Sequence, residues 1–267
     1  MRFYLSYFKL RFITQLQYRK AALAGIATQF FFGLVYIMVY LAFYESSSNN
    51  GPMEVGQLVS YLWLNQAFFA LIYMYYKDNE IFNMIKNGNI AYELLRPKKI
   101  YFMWFSKIIG QRLADVALRF LPVLIVAFIL PYPYGLSLPS SFLSLIMFLI
   151  TLTIGALLMT AIITLYHVLT LSTLNEKGIT NIFMALADIL SGGVIPIPFF
   201  PIFLQKIANV LPFRYICDLP FRLYSGNISV SDGLFQMLIQ VIWFIILVLI
   251  GNVILKKILK KVVVQGG

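Results

Sequence analysis

Apolar residues fall along this chain in long blocks, separated by short polar stretches. A bilayer core of about 30 Å needs about 20 apolar residues at about 1.5 Å rise each. Blocks of that order occupy residues 21–44, 55–76, 113–130, 142–171, 179–198 and 234–255. Each predicts a spanning helix. The expected fold class is an all-α integral membrane protein with six transmembrane helices, one transmembrane domain over residues 1–267. The 142–171 block is long for a bilayer, which predicts tilt or extension past it. Pro122 interrupts the third block, where neighbours must satisfy the carbonyl it frees.

Two stretches depart from this pattern. Residues 1–20 carry five cations, yet Leu5, Phe8, Phe12 and Leu16 recur at helical spacing, with Ile13 out of place. They predict an amphipathic interface helix on the inner membrane surface; the alternative is a basic tail that only sets orientation. Residues 199–231 are too polar and proline-marked to cross cleanly. They follow Ser191-Gly-Gly-Val-Ile-Pro-Ile-Pro198 and contain Pro201, Leu211-Pro-Phe213 and Leu219-Pro-Phe221. Short helices re-entering the membrane before the last span are expected. Irregular backbone at membrane depth must be buried in protein or line a cavity. The alternative is an external cap with no transport role.

Composition agrees with the blocks. The chain is 61% hydrophobic and 12% charged, against about a quarter charged in soluble domains. The net charge of +11 could suggest nucleic acid, but the cations sit between apolar blocks, as beside an anionic leaflet. No nucleic-acid partner is expected; the partner is the lipid membrane. With both termini inside, residues 1–20, 77–112, 172–178 and the tail hold 5, 7, 1 and 4 of the 21 cations. Lys206, Arg214 and Arg222 alone lie outside, and Arg119 lies within a span. The positive-inside rule therefore places both termini in the cytoplasm of a multi-pass plasma-membrane protein. The single cysteine, Cys217, allows no internal disulfide and reads as a packing thiol; His167, the only histidine, reads as hydrogen-bonded core. Phosphate-loop, H-E-x-x-H and G-x-S-x-G patterns do not occur. No catalytic, cofactor-binding or metal residue is assigned, and nothing points to an enzyme.

Three features go further. Gly88 can turn the chain, and Ile90–Arg96 suits a short helix stopped by Pro97, able to dock in a partner's groove; the alternative is a solvated loop. Ser191-Gly192-Gly193 with Pro196 and Pro198 breaks the fifth block. Polar residues inside blocks should face the bundle interior or another chain. Among them are Gln29, Asn65, Gln66, Asn181, Asp188, Gln236, Gln240 and Asn252. Asp188 reads equally as pathway or structural. Asp115 and Arg119 are four apart and read as a neutralising pair.

The order of a basic amino helix, two spans, "NGNIAYELLRP", three spans, "SGGVIPIPFFP", "LPF", "YSGNIS" and a final span resembles the membrane subunit of ABC-2-type transporters, in its small bacterial branch. The resemblance covers essentially the whole chain. It implies a separate ATP-binding cassette ATPase dimer that holds ATP and magnesium, with no cofactor in this chain. A coupling helix over Asn87, Gly88, Asn89, Ile90, Glu93, Leu94, Leu95, Arg96 and Pro97 would receive its motion. A second permease chain, the same or related, would complete an export path between second and fifth spans. Helical spacing picks Tyr61, Asn65, Phe68, Phe69, Asn181, Met184, Asp188 and Ser191 as its lining, with Pro196, Pro198 and Pro201 at an outer gate. Such a lining suits an amphiphile: a drug, lipid or peptide. The rival classes are a membrane scaffold and an ion-gradient transporter; no internal repeat supports the latter.

Overall fold

The computed structural model of the chain describes residues 2–46, 51–74, 78–90, 93, 95 and 98–260. Among them every regular element is a helix and no strand occurs. In order these are α1 (Arg2–Gln15), α2 (Arg19–Ser46), α3 (Val55–Ala67), α4 (Phe69–Ile72) and α5 (Asn79–Lys86). Then follow α6 (Ile100–Ile129), α7 (Phe142–Thr173) and α8 (Glu176–Leu190). A 3-10 turn, Ile197–Phe199, leads to α9 (Ile202–Val210), α10 (Arg214–Ser225) and α11 (Val230–Leu259).

The core forms around α7. This helix is apolar on every side and is buried on most of them, as such a helix must be. Its hydroxyls cost little, because Thr151, Thr160, Thr164 and Thr170 each donate to a carbonyl four residues back. Gly155 lets α10 come close: a Cβ there would lie 2.7 Å from the Ile216 carbonyl oxygen. The flanking α2 and α11 expose apolar stripes at helical spacing. Phe235, Leu238, Ile242, Ile245 and Leu249 form one on α11. In water such stripes would be costly; against hydrocarbon they are not.

Three described helices, α2, α7 and α11, are long and apolar enough to cross a membrane. The other three expected spans depart from the blocks. The second divides at Phe68 and ends at Ile72, short of residue 76. Arg112 ends it, donating to the carbonyls of Ala70 at 2.9 Å, Leu71 at 3.1 Å and Tyr73 at 2.6 Å. The third begins at Ile100, not near 113. Lys107 and Arg112 sit inside that helix because each has partners in the chain. The fifth stops at Leu190 after 15 residues, eight short of residue 198.

The amino segment is helical over Arg2–Gln15. Phe3, Tyr4, Tyr7 and Phe8 pack toward the core, and α1 lies along α6. Leu5, of the expected apolar face, is exposed on the surface of the bundle, while Phe8 of the same face packs inward. The expected pair of Asp115 and Arg119 is replaced. Asp115 accepts from Gln15 of α1 at 2.9 Å, so the crossing helix takes the carboxylate that spacing had offered to Arg119.

Candidate functional site

At one end of the bundle, charge joins three helices. The Asp78 carboxylate accepts from the backbone N–H groups of Glu80 and Ile81, at 3.0 and 3.1 Å, and so caps α5. Lys107 of α6 lies 2.8 Å from Asp78 and 2.7 Å from Glu80. Arg11 of α1 grips Glu80 with two hydrogen bonds, at 3.0 and 2.9 Å. Lys107 and Asp78 are buried, while Glu80 is half exposed. Burial by itself would raise the Glu80 pKa, but hydrogen bonds from Lys107 and then Arg11 outweigh it and hold the carboxyl below its ordinary value. Phe82 of α5 stacks on His167 of α7 at 4.5 Å, adding a fourth helix. His167 Nδ1 donates to the Ile163 carbonyl at 2.7 Å, while its Nε2 is buried without a protein partner.

A knuckle projects from this base. α5 ends at Asn87, and Gly88 reverses the chain at φ +72°, a left-handed value that a side chain would strain. Asn87, Gly88 and Asn89 are exposed. Ile90 and Glu93 turn back and are buried, and Leu95 is 81% exposed. Leu94, Arg96 and Pro97 lie outside the described residues.

Further along the bundle, α3 meets the break after α8. Tyr61 donates its hydroxyl to the Gly192 carbonyl at 2.9 Å, and Asn65 Nδ2 donates to Gly193 at 2.7 Å. Phe68, at the α3–α4 junction, packs against Phe120 and Phe148; Phe69 stacks on Tyr73 at 4.1 Å. Ser191 is buried and Asp188 half-buried, both against a small cleft with Tyr73. Met184 is half-buried and Asn181 exposed. Tyr61, Asn65, Asp188 and Ser191 thus come together around Gly192–Gly193; Asn181 does not. Pro196 and Pro198 frame the 3-10 turn, and Pro201 begins α9. Phe199 of that turn packs on Tyr40 of α2 at 5.2 Å.

The sequence profile of the ABC-2 family transporter proteins matches residues 32–266. The chain belongs to the ABC-2 transporter family. No curated protein and no solved structure matches it. It is therefore an ABC-2 transporter membrane protein, of a family whose membrane subunits are typically non-catalytic.

In this ABC-2 protein one group carries more of the break than any residue singled out from sequence. Asp218 of α10 is fully buried. Its carboxylate lies 3.5 Å from the guanidinium groups of Arg214 and Arg222, one turn to either side. It also accepts from the Tyr61 hydroxyl and the Ile197 N–H, both at 3.4 Å. Arg222 Nε continues to Asn227 at 2.7 Å, and Arg214 to Gln236 of α11 at 2.7 Å and to Asn209. Cys217 donates its thiol to the Ser191 carbonyl at 2.9 Å, the packing role expected of it. The Arg-x-x-x-Asp-x-x-x-Arg spacing was the available signal. Short re-entrant helices were expected over this stretch, but nothing in the sequence said which of their charges would be buried and paired.

Proposed function

We propose that this ABC-2 protein is the permease of an ATP-driven exporter, powered by a separate ATP-binding cassette ATPase dimer. On this reading the chain crosses the membrane six times: by α2, α7 and α11, whose length and apolarity support it, with α3–α4, α6 and α8 as the other three. Both termini then face the cytoplasm, with the positively charged connections. A second permease chain, identical or related, completes the path. The cargo is an amphiphile, which suits the aromatic surroundings of Phe68 and Phe69.

One observation carries the reading: an exposed knuckle, Asn87–Asn89 with Leu95, stands on a base of buried charge. On this reading the exposed leucine, beside the Gly88 turn, enters a groove of the partner. Force applied there has a continuous rigid route. It passes from α5 through Asp78 and Glu80 to Lys107 on α6. Arg112, five residues on, holds the end of α4. The α3 helix then holds Gly192–Gly193 through Tyr61 and Asn65. Motion of the ATPase would thereby reach the break that Pro196, Pro198 and Pro201 frame as an outer gate.

Leu95→Asp tests this. Its side chain is 81% exposed, so the isolated permease should keep its thermal stability. Association with the cognate ATPase and coupled hydrolysis should fall by roughly tenfold or more, the loss of one well-buried apolar anchor. Undiminished association would refute the docking role. Substrate movement in vesicles that follows a proton gradient without ATP would refute the exporter.

A further inference from the structure

A cavity of about 300 Å³ lies between α2, the α3–α4 segment and α6, and shares Tyr73 with the cleft beside Gly193. Its walls include Gln29 and Tyr36 of α2, Phe69 and Tyr73 of that segment, and Arg119 of α6. Thr28 and Phe32, both exposed, rim its mouth on the outer side of α2. Two groups in it are unbalanced. Gln29 is only 4% exposed, and neither its Oε1 nor its Nε2 has a hydrogen-bond partner. Arg119 Nε is likewise buried and unpartnered, and among the described residues no carboxylate pairs with this guanidinium. Asp115, one turn away, is engaged by Gln15.

The guanidinium lies against Gly25, where a Cβ would come within 2.7 Å of it, so the α2 backbone makes room for the cation. A charge at membrane depth is costly unless something of opposite sign meets it. A buried amide with both ends idle adds a further cost. The bundle supplies a partner to neither, and both open on one cavity. Phe32, Tyr36, Phe69 and Tyr73 make the rest of the wall largely aromatic, with the Gln66 amide and the Thr28 hydroxyl as its other polar groups.

We propose that this cavity binds an anionic amphiphile. Its acidic head, a phosphate, sulfate or carboxylate, sits between Arg119 and the Gln29 amide. Guanidinium recognises such oxyanions with two parallel hydrogen bonds. The chain of the ligand runs along Phe32 and Tyr36 and leaves between Thr28 and Phe32 into lipid. From Gly25 to Tyr36 is about 16 Å along a helix, enough for a head and the first part of one chain. The cavity is at the small end of ligand sites, so a whole two-chain lipid does not fit inside. This inference rests on the membrane-embedded reading but not on ATPase coupling.

The test uses the purified full chain in phosphatidylcholine nanodiscs, without ATP or partner. Photoreactive phosphatidylglycerol, a photoreactive long-chain alkyl sulfate and photoreactive phosphatidylcholine are compared, with cross-links mapped by peptide. At least one anionic probe should label residues 25–36 about fivefold more than phosphatidylcholine. Arg119→Gln should bring that labelling down to the neutral level, Arg119→Lys should keep part of it, and Gln29→Leu should lower it about threefold. Phosphatidylglycerol alone labelling identifies a resident lipid; alkyl sulfate alone identifies a single-chain ligand. Equal labelling by charged and neutral probes overturns the proposal, including the case where an acid of a second permease meets Arg119. Labelling unchanged in Arg119→Gln overturns it too. Should that variant fail to fold, competition of wild-type labelling by unlabelled phosphatidylglycerol, with Gln29→Leu, decides in its place.

Discussion

The charges around Lys107 come from three helices far apart in sequence, while those around Asp218 come from three successive turns of one helix. The first cluster is close-knit, with contacts of 2.7 to 3.0 Å, and its Glu80 carboxylate is half open to water. The second is looser, at 3.5 Å, but Asp218 is sealed and also held by Tyr61 and the backbone of Ile197. Their tasks differ accordingly. The Lys107 cluster ties together helices distant in sequence, and its Glu80 side is open to water. The Asp218 cluster fixes α10 against the break and cannot open without exposing charge to a dry interior. One is built as a joint, the other as a fixed post.

Breaking the post should cost most. Asp218→Ala leaves Arg214 and Arg222 without their carboxylate in a buried site, and removal of one partner from such a set costs about 3–5 kcal/mol. Chemical denaturation in detergent should record that loss, and cysteine labelling should find Cys217, now buried, reactive. The joint should cost less. Lys107→Met keeps the length of the side chain but leaves Asp78 buried without its amine. Because Glu80 can turn to water, about 2–3 kcal/mol is expected, below the full cost of a sealed pair. Proteolysis should then cut first near α1, which loses its tie to α6 through Glu80. If both variants lost the same stability and released the same segment, the distinction between joint and post would fail.

The sequence made the long apolar helices plain because lipid-length blocks need no knowledge of neighbours: α2, α7 and α11 fall within a few residues of expectation. The turn at Gly88 was legible too, while the short helix expected over Ile90–Arg96 falls mostly outside the described residues. What could not be read was pairing between distant residues. Lys107 and Arg112 looked like loop cations because their partners, Asp78 and the carbonyls ending α4, are 29 and about 40 residues away. Asp218 was not singled out, because polarity by itself does not tell a solvated charge from a compensated one. Asp115 was assigned to its neighbour on α6 when the acceptor's true donor, Gln15, is 100 residues distant. Tyr61 and Asn65 were singled out by helix face, yet what they hold, the carbonyls of Gly192 and Gly193, depends on a turn no periodicity describes.

A smaller effect separates the joint from the knuckle it carries. Gly88 has φ +72°, and a Cβ there would meet nothing within 4 Å. Gly88→Val therefore carries only the conformational cost of a left-handed residue, about 1–2 kcal/mol. That cost is local. The melting temperature of the bundle should stay close to wild type, while ATPase coupling falls. A bundle-wide loss of stability would mean that the knuckle is part of the fold's support and not an appendage of it.

Acidity gives the mildest test of the joint. Glu80 is held below its ordinary pKa, by bonds from Lys107 and Arg11 that overcome its partial burial. A carboxyl whose folded value is depressed stabilises fully above its unfolded value, about 4.3, and loses that contribution as pH falls through the lower, folded one. Stability should thus be flat near neutrality and decline below about pH 4.5. With the side chain half exposed, solvent screens the pair, and the loss should be under about 1 kcal/mol. Hydrogen exchange in α1, corrected for intrinsic rates, should speed up over that acidic window in the wild type. In Glu80→Gln it should be faster at neutral pH and lack the added acid step. The α10 amides should show no such step tied to Glu80, since nothing in their cluster touches that carboxylate. An identical acid step in α10 of both proteins, with none in α1, would show that the post yields to acid and the joint does not, reversing the roles assigned to them.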